Sequence, residues 1–205
     1  MSAVGRQWIT LSVDMSQEES DSDEALMLRY QAGDAAAFDQ LYARHRGGLF
    51  RFMLRQCRSR ARVEELFQDV WMNLIQAKDR YRVEAQFRTY LYTLAHNRII
   101  DYFRSHARSE AVLFETDDEA AVMQTAAASR TEEPHVRAEA SEQRAAILKL
   151  LEALPAPQRE AFLLYEEGGL SVEEIAGATG VTFEAAKSRL RYAVAKLRAG
   201  LQEYA

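Results

Sequence analysis

Between Ala185 and Arg198 the sequence places Lys187, Arg189, Arg191, Lys196 and Arg198 with no carboxylate among them. Ammonium and guanidinium groups bind phosphates through charge, and the paired donors of a guanidinium match the acceptor edge of guanine. Both uses need side chains that project from one face of a rigid element. The spacing supplies such a face. Phe183, Ala186, Leu190, Ala193, Val194, Leu197 and Leu201 fall on one arc at the helical period. The other arc carries Lys187, Ser188, Arg191 and Arg198, with Glu184 beside them and Arg189 and Lys196 further round. One side of this helix is suited to packing and the other to DNA.

A helix of this kind must be held by a partner element, and the preceding residues specify one. Ser171 followed by Glu174 forms a capping box that starts a helix carrying Ile175 and Ala176 inward. Gly180 breaks that helix and Thr182 caps the next, which gives a helix-turn-helix. Such a unit lays its second helix in the major groove. Helix-turn-helix shapes also serve as plain packing units, so it is the contrast between basic and apolar arcs that points to DNA.

A second basic run lies earlier. From Gln40 to Val63 stand Arg44, Arg46, Arg51, Arg55, Arg58, Arg60 and Arg62, again without an acid. Taken alone it reads equally well as a solvated helix face. The net charge of -5 conceals this patterning, because the acids gather in Asp14 to Glu24 and Glu110 to Glu142. Other chemistries find little support. No glycine loop with a lysine cradles phosphate, and His45, His96, His106 and His135 have no close second ligand at metal-site spacing. No catalytic residue, metal or cofactor is expected. The single cysteine, Cys57, excludes an internal disulfide and a multi-thiolate zinc site. It reads as a small core residue, or as a redox-sensing thiol given its basic neighbours. No apolar run or leader-like start indicates membrane insertion or export, so a cytoplasmic protein is expected.

The elements that must position these residues are helices: sparse Gly and Pro with abundant Ala, Leu, Glu, Arg and Gln predict an all-α protein. Residues 1–22 read as a disordered lead-in. Residues 23–107 form a bundle of about four helices: Asp21 with Glu24 offers a capping box, and Gly33 then Asp34 a stop and a new cap. Its apolar periodicity runs through Phe38, Leu41, Tyr42, Leu49, Phe52, Leu66, Val70, Trp71, Leu74, Phe87, Leu91 and Ile99. Residues 108–140 are acidic and poor in large apolar groups, as a flexible linker is. Residues 141–205 return to helical patterning and contain the helix-turn-helix. The expected architecture is therefore two small helical domains joined by a flexible acidic linker.

Two sets of residues resemble one family. Leu154, Pro155, Gln158, Arg159, Phe162, Leu163, Gly168, Leu170, Ser171, Glu174, Ile175, Ala176, Lys187, Ser188, Arg189 and Leu190 resemble the carboxy-terminal domain of bacterial RNA polymerase sigma factors. Gly33, Asp34, Ala37, Phe38, Leu41, Tyr42, then Glu64, Glu65, Leu66, Gln68, Asp69, Val70, then Phe87, Tyr90, Leu91, Ala95, Asn97, Asp101 and Arg104 resemble the family's other domain in order and spacing. With no third domain between them, the resemblance is to the minimal extracytoplasmic-function (ECF) group.

The resemblance implies a protein that binds core RNA polymerase and promoter DNA, directs transcription initiation and is held by an anti-sigma factor. It implies that Glu65, Gln68 and Asp69 dock on the coiled-coil clamp of the polymerase's largest subunit. It assigns Tyr81, Arg82, Gln86, Arg88, Tyr90, Asn97 and Arg104 to opening the minus-ten element and holding an extruded base. Aromatic walls, amides and cations are the groups such a task needs. Phe87 and Leu91 read as core, and Asp101 as a group orienting Asn97 and Arg98. Thr182, Glu184, Lys187, Ser188, Arg189 and Arg191 fall at the minus-thirty-five element. The family often has Trp at the position of Tyr90, and a small residue and Thr where this chain has Glu184 and Ala185. Glu184 is unsuited to phosphate but able to accept from a cytosine amino group. The rival readings are a non-sigma helix-turn-helix regulator and a helical scaffold that binds only protein.

Overall fold

The computed structural model describes residues 22–57, 59–110 and 145–202, and every regular element among them is helical. Helix α1 (Asp23–Gln31) starts at Ser22, whose hydroxyl accepts from the Ala25 N–H at 3.1 Å. The cap is thus Ser22 and not the expected Asp21, while Asp23 and Glu24 occupy the first turn, where the helix dipole favours anions. The predicted break at Gly33 is present, and Asp34 caps α2 (Ala35–Gln56) by accepting from Ala36 N–H at 3.1 Å. Cys57 is extended and ends α2; α3 (Arg60–Ala77) follows, closing in a 3₁₀ turn, Lys78–Arg80.

Helix α4 (Phe87–Glu110) borrows its cap from far along the chain. The Glu24 carboxylate accepts from the Phe87 N–H at 2.7 Å, satisfying a donor that the helix itself leaves orphaned. The Gln31 amide donates to the carbonyl oxygens of Lys78 and Asp79 at 3.0 and 3.1 Å. Helix α1 therefore fixes both ends of the loop that leads into α4.

The second half comprises α5 (described over 145–152), α6 (Ala156–Glu166), α7 (Val172–Thr179) and α8 (Phe183–Gln202). Pro157 sits in the first turn of α6, where its missing N–H costs nothing. Leu151, Leu154, Ala193 and Leu197 make a small cluster between α5 and α8. The larger cluster is continuous across both halves of the chain. It joins Leu41, Leu49, Phe52, Met53, Leu74, Phe87 and Leu91 to Leu163, Leu164, Leu170, Ile175 and Ala186. At roughly 1.5–3 kcal/mol for each large apolar side chain removed from water, this shared core is a substantial contribution to holding α6 and α7 against α2 and α4. Residues 1–21 and 111–144, on which the lead-in and most of the expected linker fall, lie outside the described residues.

Candidate nucleic-acid interface

The helix-turn-helix forms as its residues require. Ser171 Oγ accepts from Glu174 N–H at 3.2 Å while the Glu174 carboxylate accepts from Ser171 N–H at 2.8 Å. Gly180 takes φ 66°, a left-handed conformation that costs a glycine nothing, and Thr182 caps α8 by accepting from Ala185 N–H at 3.3 Å. On α8 Thr182, Glu184, Lys187 and Arg191 are exposed, and Ser188 and Arg189 half-buried. Lys187 lies above the Phe183 ring at 5.7 Å and only loosely meets Glu184, at 3.9 Å; Arg191 lies above the Tyr192 ring at 5.1 Å. Both cations project outward one helical turn apart. The apolar arc is narrower than its pattern predicts, because Phe183 and Leu201 are exposed and only Ala186, Ala193 and Leu197 are fully buried. Phe183 and Leu201 stand at the two ends of the helix.

A second surface is built on α4 and the loop before it. Tyr90, Asn97 and Arg104 recur at intervals of seven and share one stripe of the helix, with Asn97 and Arg104 exposed and Tyr90 half-buried. Tyr81 departs from expectation: it is 4% exposed, its ring meets Phe87 at 6.4 Å and Tyr90 at 5.4 Å, and its hydroxyl has no partner among the described residues. Burial, with Glu24 adding to it, pushes the phenol up to about 12. Tyr81 therefore backs the Tyr90 ring in place of forming an exposed wall. Arg82 and Gln86 are exposed; Arg82 donates to the Tyr81 carbonyl at 2.8 Å and Arg88 to the Gln86 side-chain oxygen at 3.1 Å. Beside them opens a cleft of about 660 Å³ lined by Asp23, Glu24, His45, Val83, Gln86 and Arg88. Its acidic wall was not legible in the sequence, because Asp23, Glu24 and His45 come from α1 and α2. Burial raises the Asp23 carboxyl, but a 2.7 Å hydrogen bond to His45 and the charge of Arg44 outweigh it, so the group stays ionised below the ordinary carboxylate range. Carboxylates here can accept from the exocyclic amino groups of a base.

The third surface lies on α3. Glu65 and Gln68 are exposed, but Glu65 pairs with Arg62 at 3.1 Å and Asp69 with Arg98 at 2.5 Å. Arg98 is thus held by Asp69 and not by the expected Asp101. Next to this polar stripe runs a cleft of about 430 Å³ lined by Tyr42, Phe50, Phe67, Gln68, Trp71 and Met72. Met72 is 49% exposed, and the buried Trp71 indole N–H finds no acceptor among the described residues. The helical pattern alone marks Phe67 and Trp71 as core; it does not show that Tyr42, Phe50 and Met72 complete an open apolar groove. Cys57 is buried, and burial pushes its thiol up to about 11, which favours the inert thiol over the reactive thiolate.

The chain resembles proteins of known kind over most of its length. A model of Sigma-70 region 2 matches residues 41–109, and one of Sigma-70 region 4 matches residues 144–197. The RNA polymerase sigma factor CarQ of Myxococcus xanthus is 31% identical over 177 residues, covering 86% of this chain and 96% of CarQ. The ECF RNA polymerase sigma factor SigM of Mycobacterium tuberculosis (strain ATCC 25618 / H37Rv) is 27% identical over 180 residues, covering 86% and 83%. Among solved structures, the sigma factor RpoE in complex with the anti-sigma factor NepR, from Bartonella quintana, superposes with a TM-score of 0.66 at 22% identity, over 80% of this chain and 96% of that one.

Proposed function

The chain belongs to the RNA polymerase sigma factors, in their ECF group, and from that premise we propose how its surfaces divide the work of directing promoter-specific initiation. Residues 23–107 serve as the half that docks on core polymerase and opens the minus-ten element. Residues 141–205 serve as the half that reads the minus-thirty-five element, with 108–140 joining them. Family membership removes the two rival readings, an unrelated regulator and a protein-only scaffold.

The observation that supports this division is that two DNA-suited faces stand on different helices, α8 and α4, each fixed by packing on its inner side. On α8, Lys187 and Arg191 project from a capped helix whose inner arc packs on α6 and α7. Cations so displayed bind duplex phosphates and read base edges. The α4 stripe of Tyr90, Asn97 and Arg104 joins a cleft walled in part by the Asp23 and Glu24 carboxylates. Carboxylates so placed can accept from the amino groups of an extruded base, and Gln86 and Arg88 line the same cleft. Opening DNA at this surface requires no covalent chemistry, in keeping with a protein that is not itself an enzyme.

The α3 groove suits a helical partner that inserts an apolar side chain beside Gln68, against Tyr42, Phe67 and Met72. We assign it to the polymerase clamp. Its position next to Glu65, Gln68 and Asp69 supports this. The solved relative captured with an anti-sigma factor supports control of this chain by such an inhibitor as well. Among the described residues no helix is long and apolar enough to cross a membrane, and we place the chain in the cytoplasm with the polymerase. Reconstitution with core enzyme tests the whole reading: run-off transcription should depend on both chain and promoter, and core enzyme binding without promoter-specific transcripts would contradict it.

A further inference from the structure

Residues 82–86, between the 3₁₀ turn and α4, are all exposed, yet they are flanked by the buried rings of Tyr81 and Phe87, whose centroids lie 6.4 Å apart. Fully extended, the six steps from Tyr81 to Phe87 would cover about 20 Å, so the chain arches out of the bundle and back. An exposed arch has no core of its own to select one shape from many. Its inner bond, from the Glu84 N–H to the Arg82 carbonyl oxygen at 2.9 Å, is local. Helix α1 supplies what the arch lacks. The Gln31 amide nitrogen donates to the Lys78 and Asp79 carbonyl oxygens and reaches that of Tyr81 at 3.4 Å, so three carbonyls at one foot of the arch converge on a single donor group. At the other foot the Glu24 carboxylate accepts from the Phe87 N–H. Seven residues separate Glu24 from Gln31, so the two share a helix face and stand about 10 Å apart along the axis, a rigid base shorter than the arch it carries. Helix α1 is in turn fixed to its neighbours. Leu26 and Met27 are fully buried, Asp23 meets Arg44 and His45 of α2 at 3.0 and 2.7 Å, and the Tyr30 ring packs on Phe38 at 5.0 Å with Lys78 Nζ over it at 5.2 Å.

We propose that α1 is the positioning element for base selection at the minus-ten element: Glu24 and Gln31 hold the two feet of the 82–86 arch and thereby set its shape against the cleft that takes the extruded base. The statement rests on the function proposed above. Val83, Glu84, Ala85 and Gln86 of the arch form one wall of that cleft, with Arg88 beside them. A hydrogen-bonding group displaced by about 1 Å no longer meets a base edge within bonding distance, so a shift at either foot changes which base is accepted. Gln31 is the sharper of the two residues. It stands outside the cleft lining, whereas Glu24 belongs to it, so Gln31 acts on base choice only through the arch.

The test uses the full chain, free and assembled with core polymerase. Gln31→Glu keeps the shape of the side chain but replaces the donor with an oxygen that the three carbonyls repel. In the free chain, amide exchange at Tyr81, whose N–H donates to the Lys78 carbonyl oxygen at 3.1 Å, should quicken about tenfold, and Glu24→Ala should do the same at Phe87. Glu24→Gln keeps an acceptor and should restore the protection of Phe87. In run-off transcription from templates randomised at single minus-ten positions, Gln31→Glu should lower the preference for the best base over the next by about fivefold or more, with core polymerase affinity and the upstream footprint unchanged. A merely structural loss would weaken all templates alike. Asp34→Ala, which removes the cap of α2, is the control: it should lower the melting temperature and leave base preference intact. Gln31→Met, of similar length and without a donor, takes the place of Gln31→Glu if that variant does not fold. Wild-type exchange at Tyr81 and Phe87 in the folded variants, or an equal loss of preference in Asp34→Ala, would overturn the proposal. Quickened exchange with unaltered base preference would overturn it too, and Gln86→Ala then locates the failure. If Gln86→Ala shifts the preference, the arch reads the base without help from α1; if it does not, the minus-ten assignment of the arch fails as well.

Discussion

Two basic runs that look alike in sequence meet opposite fates in the fold. On α2 and the start of α3, Arg44, Arg51, Arg55, Arg60 and Arg62 each find a carboxylate: Asp23, Glu167 for the next two, Glu64 and Glu65. On α8, Lys187 and Arg191 rest on neighbouring rings and point into solvent, with Glu184 too distant and too exposed to neutralise them. A run without local acids is therefore not evidence of a nucleic-acid surface. What decides is whether acids from the next turn or from elsewhere in the fold meet the cations: Glu64 and Glu65 follow the run directly, whereas the Arg51 partner lies 116 residues away.

The comparison is sharpened most by Asn97→Ala. Its proposed partner exists only as an unstacked base, so footprinting of the upstream element should be unchanged while permanganate reactivity at the minus-ten element falls by about fivefold or more, as removing a base interaction worth about 1–3 kcal/mol implies. Normal opening would remove Asn97 from the site. Gln68→Ala should come next, weakening core polymerase binding several-fold without lowering the melting temperature, since its side chain is exposed. Asp69→Ala is the less clean variant, because it also strips Arg98 of its partner. Arg51→Ala with Arg55→Ala should lower thermal stability by about 1–2 kcal/mol, discounted for the exposure of Arg51. Unaltered stability would contradict their structural role.

The smallest effect is expected from acid. Burial raises the Glu174 carboxyl, but hydrogen bonds from Thr89 and Ser171 outweigh it and hold it below its ordinary value. A depressed folded value contributes stability above the unfolded one, and that stability is lost as pH falls through the folded one. The Thr89–Glu174 contact between α4 and α7 should therefore be held at neutral pH and weaken as the pH falls through the folded value of Glu174. Thr89→Val should blunt that dependence when thermal stability is followed against pH, and an unchanged profile would separate Glu174 from it.

Features set by neighbours in sequence were legible: the Ser171 and Glu174 capping box, the break at Gly180, the caps at Thr182 and Asp34, and the sidedness of α8. Each depends on residues within one or two turns. The errors share the opposite cause. Tyr81 reads from the sequence as core or as a stacking platform, because aromatic residues carry no local mark of burial, and its burial comes from Phe87 and Tyr90 packing over it. The acidic wall of the α4 cleft, the apolar groove on α3 and the seating of Glu167 on Arg51 and Arg55 each combine elements far apart in the chain. No period or cap signals such a meeting, and only tertiary packing reveals it.

The most direct measurement compares the salt dependence of upstream-element binding by reconstituted holoenzymes carrying the two pairs of substitutions. Lys187→Ala with Arg191→Ala should weaken binding and lower the slope of log affinity against log salt by roughly one unit for each phosphate no longer neutralised. Arg51→Ala with Arg55→Ala should leave that slope unchanged. An unchanged slope for the α8 pair together with a reduced one for the α2 pair would contradict the assignment of DNA recognition to α8.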